Sequence, residues 1–199
     1  MTPNGENLMV ILSSPSGVGK TTITKKLQQK YQNLKISISH TTRPPRSNEV
    51  DGVDYNFVTK EKFEDLIKKN KFYEYAKIFD NYYGTLKKSV DQLIKVNDII
   101  FDIDWQGTKQ LSKFKNLKLI KIYLITANKN EVRQRLIARN QNSNNEINKR
   151  INSFEEDIKH WNDYDYIIIN ENLDVCFKQI EDIINTYKKK NSISSQIIQ

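Results

Sequence analysis

The stretch Ser14-Pro-Ser-Gly-Val-Gly-Lys-Thr21 gathers two glycines, a lysine and a terminal hydroxyl, a set suited to holding phosphate. Small residues let backbone N–H groups close around phosphate oxygens, and a helix starting directly afterwards aims the positive end of its dipole at the anion. The spacing matches the phosphate loop G-x-x-x-x-G-K-[ST] except at the first position, where Ser14 stands for glycine. In that chemistry Ser14, Pro15, Ser16, Gly17, Val18, Gly19, Lys20, Thr21 and Thr22 wrap a nucleoside triphosphate, Lys20 reaches its β- and γ-phosphates, and the Thr21 hydroxyl ligates Mg2+. A serine serves at the first position only if its φ stays in the range open to L-residues. A serine-capped strand-to-helix turn is the plain alternative, and it leaves the register of Gly17, Gly19, Lys20 and Thr21 unexplained.

Arginine is scarce: Arg43, Arg46, Arg133, Arg135, Arg139 and Arg150 are the whole set, against many lysines. Arg43-Pro-Pro-Arg46 mounts two guanidiniums on a stiff segment, because each proline fixes its own φ and restricts its predecessor. A guanidinium grips phosphate through paired bonds, so these two suit a monophosphate clamp; a proline-rich loop with solvated charges accounts for them equally well. Arg135 and Arg139 lie one turn apart on a helix face, and Arg150 sits on the next helix across a polar loop at Ser143 to Asn145. Arginines on a closing lid would stabilise the charge that phosphoryl transfer spreads over the γ-phosphate; a surface pair of Arg135 with Glu131 is the competing reading. Asp102 and Asp104 close an apolar strand, and they are expected to face opposite sides, Asp102 towards a hydrated metal ion and Asp104 towards a second substrate. Asp104 also suits the N-cap of the following helix.

These groups need a frame. The run Leu8 to Leu12 reads as a buried strand entering the loop. After Lys20, Ile23, Leu27 and Tyr31 recur at four-residue steps, one stripe of an amphipathic helix. Further buried strands are predicted at 35–39, 98–103, 119–125 and 166–169, with helices at 89–96, 106–113, 130–139, 146–160 and 174–189. Alternating strands and helices imply a parallel sheet flanked by helices, an α/β core. From about 39 to 86 the rhythm changes to short aromatic–polar alternations around one helix, which reads as an inserted α+β lobe of antiparallel strands. The tail at 191–199 is polar and expected to fray, and Glu155-Glu156-Asp157 reads as a solvated helix face.

The chain has 199 residues, enough for one core domain with inserted lobes. Six glycines and four prolines exclude collagen-like, linker-like and proline-rich disordered classes. The net charge of +8 invites a nucleic-acid partner, but the excess is lysine scattered over the whole length, so small-molecule substrates are expected, with no nucleic acid, membrane or obligate protein partner. The single cysteine, Cys176, permits no intramolecular disulfide and suits a reducing compartment; it falls on an apolar helical stripe with Phe177, Ile180 and Ile184, as a core residue does. With no basic leader, and an apolar run at 8–12 too short for a membrane span, the cytoplasm is the expected location.

Ser39-His-Thr-Thr-Arg-Pro-Pro-Arg46, the run Glu49 to Phe57 with Tyr55, Glu74-Tyr75, Asn81-Tyr-Tyr-Gly-Thr85 and Asp102-Ile-Asp-Trp-Gln-Gly107, taken with the phosphate loop, make the chain from about Leu8 to Lys188 resemble the guanylate kinase family. The resemblance implies one domain over 1–199, with a P-loop core at about 8–38 and 87–190, a GMP-binding lobe at about 39–86 and a helical lid at about 130–155. It implies the reaction ATP + GMP to ADP + GDP, in purine nucleotide metabolism, with Mg2+ held by Thr21 and, through water, by Asp102. Ser39, Arg43, Arg46, Tyr55 and Tyr83 would hold the GMP phosphate, and Glu74, Thr85 and Asp104 would read the guanine. Lys20, Arg43, Arg135, Arg139 and Arg150 would carry catalysis, and Asn170 would line the adenine pocket. Glu74 also makes sense unaided: guanine offers N1–H and a 2-amino group on one edge, which a carboxylate accepts together, whereas adenine sets an acceptor there. The alternatives are a non-catalytic binding module of the same lobe, against which Lys20, Thr21 and Asp102 argue, and another nucleoside monophosphate kinase, against which Glu74 and Thr85 argue.

Overall fold

β1 (Met9–Ser13) has a strand on each side and helices on both faces, so every one of its residues is buried. That is why it reads as an unbroken apolar run. It belongs to a five-stranded sheet of order β2-β7-β1-β8-β9, with β2 at Leu34–Ile36, β7 at Asp98–Asp102, β8 at Leu119–Ile125 and β9 at Tyr166–Ile169, and every pairing in it is parallel. The computed structural model describes residues 7–126, 129–138 and 144–197, with side chains described except at 129, 131, 135, 136, 138, 144–149 and 190–197. Alternate residues of each strand feed two cores. Val10 and Leu12 pack with Leu27, Ile122, Cys176 and Ile180 on one face, and Met9 and Ile11 with Val90, Phe101, Leu111 and Tyr123 on the other. Burial pushes the Cys176 thiol up to about 11, as befits an inert core thiol. β2 and β7 lie on one side of β1 and β8 and β9 on the other, which opens a crevice at the carboxyl end of β1, where ligands bind in open sheets of this kind.

The helices are α1 (Lys20–Lys30), α3 (Lys87–Leu93), α4 (Trp105–Leu111), α5 (Lys129–Ala138), α6 (Asn144–Ile158) and α7 (Leu173–Ile197) around the core, and α2 (Lys60–Lys68) in the lobe. The lobe strands β3 (His40–Thr41), β4 (Asn56–Phe57), β5 (Phe72–Ile78) and β6 (Asn81–Leu86) form a second sheet of order β4-β3-β6-β5. Phe63 of α2 stacks between Phe72 and Tyr82, at 4.5 and 5.3 Å between ring centroids, and pins the helix to the sheet. The β5–β6 register sets Glu74 opposite Thr85.

Three expectations need correction. β3 and β4 pair in parallel, because the long connection at 42–55 crosses over where a tight hairpin would have made them antiparallel. β9 is not a buried strand: it ends the sheet, and only Ile168 turns inward while Tyr166, Ile167 and Ile169 are exposed. α7 runs to Ile197, past the predicted end at 189 and through most of the tail expected to fray; no glycine or proline follows Asn172 to stop it. Among the described residues, no helix is long and apolar enough to cross a membrane.

Candidate active site

Between β1 and α1 the phosphate loop turns through Gly17 at φ 86° and Gly19 at φ 106°, conformations that L side chains rarely adopt. Ser14 needs no such freedom: among the described residues, the only non-glycine residues with positive φ are Asn70 and Phe79. Its hydroxyl donates to the Pro15 carbonyl at 2.9 Å, so serine fits the first loop position without strain. Gly19 is constrained by space as well, since a Cβ there would lie 2.9 Å from Asn170 Nδ2. That amide, buried at the end of β9, donates to the Val18 carbonyl at 2.7 Å. Asn170 therefore braces the loop from beneath. The Val18 side chain likewise turns into the core, leaving only its backbone to the loop.

Lys20 Nζ lies 2.6 Å from Asp102 Oδ1 and donates to the Ile103 carbonyl at 3.0 Å, poised at the strand end beside the loop. Thr21 and Thr22 are exposed on the first turn of α1. Asp102 is the last residue of β7, and residues two apart on a strand share a face, so the pleat does not separate Asp102 from Asp104. The chain leaves the sheet between them: Asp104 is the N-cap of α4, accepting the Gly107 N–H at 2.9 Å and Gln106 Nε2 at 3.1 Å. Burial raises the Asp104 pKa.

Ser39, Arg43, Arg46, Tyr55, Glu74 and Tyr83 share one cleft of ≈ 380 Å³ with Lys20, Thr21, Asp102, Asp104 and the loop residues Ser14 to Gly17 and Gly19. The spacing of two arginines did not reveal what aims them. Glu49 accepts Arg43 Nη2 with both oxygens, at 2.7 and 2.8 Å, the Arg46 N–H at 2.8 Å and Arg46 Nη1 at 3.3 Å. One carboxylate thus orients both guanidiniums, and Arg43 also lies 5.5 Å from the Tyr55 ring centroid. Glu74 is 3% exposed and its Oε1 has no hydrogen-bond partner. Burial pushes its carboxyl up to about 7, against the pull of a hydrogen bond from Thr85 and with repulsion from Asp104. A Cβ on Gly107 would come within 2.5 Å of Glu74 Oε2, so glycine is required for this close approach. Thr85 is fully buried behind Glu74, with Oγ1 3.4 Å from Ser39 Oγ, and does not itself line the cleft.

On the opposite wall, Arg150 of α6 donates Nη1 to Ser16 Oγ at 2.8 Å. Arg139, the loop at 139–143 and the side chains of Glu131 and Arg135 lie outside the described residues; Arg135 itself is on α5. Arg133 is exposed. Of the acidic run on α6, Glu155 and Glu156 are exposed, but Glu156 also borders the cleft and Asp157 is partly buried in its lining, where burial pushes its carboxyl up to about 6, the Asp104 charge adds to the rise, and a Trp105 hydrogen bond opposes it. Trp105 in turn stacks on His160 at 3.6 Å. The helical period, which sends one residue of such a run inward, was the available signal for Asp157.

The arrangement joins an anion-binding loop to a basic pocket and, beyond it, to a buried carboxylate. A family model described as guanylate kinase matches residues 6–187. A guanylate kinase of Rickettsia bellii is 45% identical over 193 residues, covering 96% of this chain and 100% of that protein. One from Paramagnetospirillum magneticum is 40% identical, covering 95% and 89%. The crystal structure of guanylate kinase from Anaplasma phagocytophilum superposes with a TM-score of 0.75 at 30% identity, over 92% of this chain and 86% of that one.

Proposed function

The chain belongs to the guanylate kinase family and catalyses the ATP-dependent phosphorylation of GMP to GDP, and on that premise we propose how its cleft divides the work. ATP takes the loop end, its phosphates surrounded by the backbone from Ser14 to Thr22, with Lys20 leaving Asp102 for the β- and γ-phosphates. GMP takes the lobe end. Ser39, Arg43, Arg46, Tyr55 and Tyr83 hold its phosphate, with Glu49 keeping the two guanidiniums aimed. Glu74 accepts N1–H and the 2-amino group of guanine, Asp104 adds a second acceptor beside it, and Thr85 holds Glu74 from behind.

Thr21 and Asp102 offer a hydroxyl and a carboxylate next to the loop, hard oxygen donors of the kind Mg2+ takes, with Asp102 acting through water. Bound there, the ion would neutralise charge on the triphosphate. An oxygen of the GMP phosphate attacks the γ-phosphorus, the bond to the β–γ bridging oxygen breaks, and ADP leaves with that electron pair. Lys20, Arg43, Arg135, Arg139 and Arg150 stabilise the negative charge carried by the transferring group, and closure of the lid excludes water. Positioning and charge do the catalysis, with no covalent enzyme intermediate. Both substrates are small molecules, the reaction requires no nucleic acid, membrane or protein partner, and the expected setting is the cytoplasm.

The observation that carries this reading is Glu74, a buried carboxylate in the cleft lining whose Oε1 has no hydrogen-bond partner. A buried acceptor of this kind matches guanine's two donors and repels adenine's N1. Coupled ADP release with GMP, AMP, CMP and UMP tests it: turnover should be far fastest with GMP, and equal turnover with AMP would end the assignment.

A further inference from the structure

The tip of the β5–β6 hairpin carries an aromatic side chain with no part in the scheme above. Phe79 has φ 54°, in the left-handed region where glycine, asparagine or aspartate is the usual occupant. It is 39% exposed although its ring is large and apolar. Turn geometry alone would favour glycine at such a position. Its ring instead lines the cleft, where the Arg150 guanidinium lies 5.7 Å from the ring centroid, within cation–π range. The same guanidinium donates to Ser16 of the phosphate loop. Arg150 thus joins α6, the donor loop and the acceptor lobe at one point.

We propose that Phe79 is a positioning residue for phosphoryl transfer: its ring holds the Arg150 guanidinium at the junction of the ATP and GMP ends, so that the arginine engages only when the acceptor hairpin is in place. The proposal rests on the charge-stabilising role given to Arg150 above. The ring forms and breaks no bond. Its negative face attracts the guanidinium and excludes water beneath it, and a contact with the ring face takes up none of the in-plane N–H donors. Leucine would fill much of the same space without that face, and tyrosine would retain it.

Steady-state kinetics and thermal midpoints on a small set of variants test this. Phe79→Leu should lower kcat about threefold to tenfold and change KM for GMP by less than about twofold, in keeping with a cation–π contact at a partly exposed site. Phe79→Tyr should restore wild-type kcat. Phe79→Gly should lower kcat at least as far as leucine does while leaving the thermal midpoint unchanged or higher, because glycine relieves the left-handed backbone. Arg150→Ala should lower kcat further than any of these, and in its background Phe79→Leu should have an effect of less than about twofold, as coupled residues do. Wild-type kcat in Phe79→Leu, or failure of Phe79→Tyr to restore it, overturns the proposal. An undiminished effect of Phe79→Leu in the Arg150→Ala background overturns it too, while leaving the role of Arg150 standing. Wild-type kcat in Arg150→Ala instead refutes the role of Arg150, and the proposal falls with it.

Discussion

Replacing Glu74 by glutamine should make the nucleotide-free protein more heat-stable at pH 8. Burial lifts this carboxyl from its ordinary 4.5 to about 7, and each unit corresponds to about 1.4 kcal/mol. Between those two pH values the folded chain binds more protons than the unfolded chain, so stability falls as pH rises through the window. Keeping the charge buried therefore costs roughly 3 kcal/mol at pH 8 and nothing well below pH 4.5. Glutamine preserves the shape and removes the charge, but leaves an amide facing the space where Oε1 lacks a partner, at a cost of about 1 kcal/mol. The net gain at pH 8, about 2 kcal/mol, corresponds to roughly 4–8 °C in Tm for a chain of this size. At pH 5 the wild-type carboxyl is protonated in the fold, and the gain should shrink to near zero. Scanning calorimetry of both proteins without nucleotide at pH 5 and pH 8 measures this directly. A Tm difference that is the same at both pH values would refute the reasoning. Saturating GMP at pH 8 should reverse the order, because the guanine donors pair the buried charge in the wild type alone.

Gly107→Ala places a Cβ 2.5 Å from Glu74 Oε2 and 3.3 Å from Ile103 Cβ, so the carboxylate must move. Overpacking of about 1–3 kcal/mol should lower Tm, and KM for GMP should rise about tenfold, given that a displaced carboxylate loses roughly one charged hydrogen bond; unchanged KM would show that the Glu74 position does not matter. Ser14→Gly should leave KM for ATP within about twofold and lower Tm slightly, because Ser14 lies outside the left-handed region, and glycine adds unfolded-state entropy and loses the hydroxyl's bond to the Pro15 carbonyl. A marked fall in KM for ATP would show that serine distorts the loop.

What the sequence revealed was local. The phosphate loop, the Arg43–Arg46 pair and the Asp104 cap each span a few residues, and their chemistry follows from spacing that the backbone carries directly into structure. The Glu74–Thr85 pairing was within reach because both residues sit on adjoining strands of one hairpin. Contacts between distant segments were not legible: Asn170 under the loop, Phe79 under Arg150, and Asp157 turned towards Trp105 depend on how α6, β9 and the lobe are set around the sheet. Glu49 stood inside a motif, but its grip on two arginines depends on the turn through residues 43–49. Strand periodicity alone does not tell an interior strand from an edge strand, which is why β9 reads as buried.

The central claim is that a buried carboxylate selects the acceptor base. Isothermal titration of GMP and of a non-hydrolysable ATP analogue into the wild type and Glu74→Gln tests it most directly. Losing an ionised acceptor for two donors should weaken GMP binding by about 100-fold or more and leave the analogue within about twofold, since the phosphate loop is built from separate residues. Equal losses for both ligands, or none for GMP, would contradict the account.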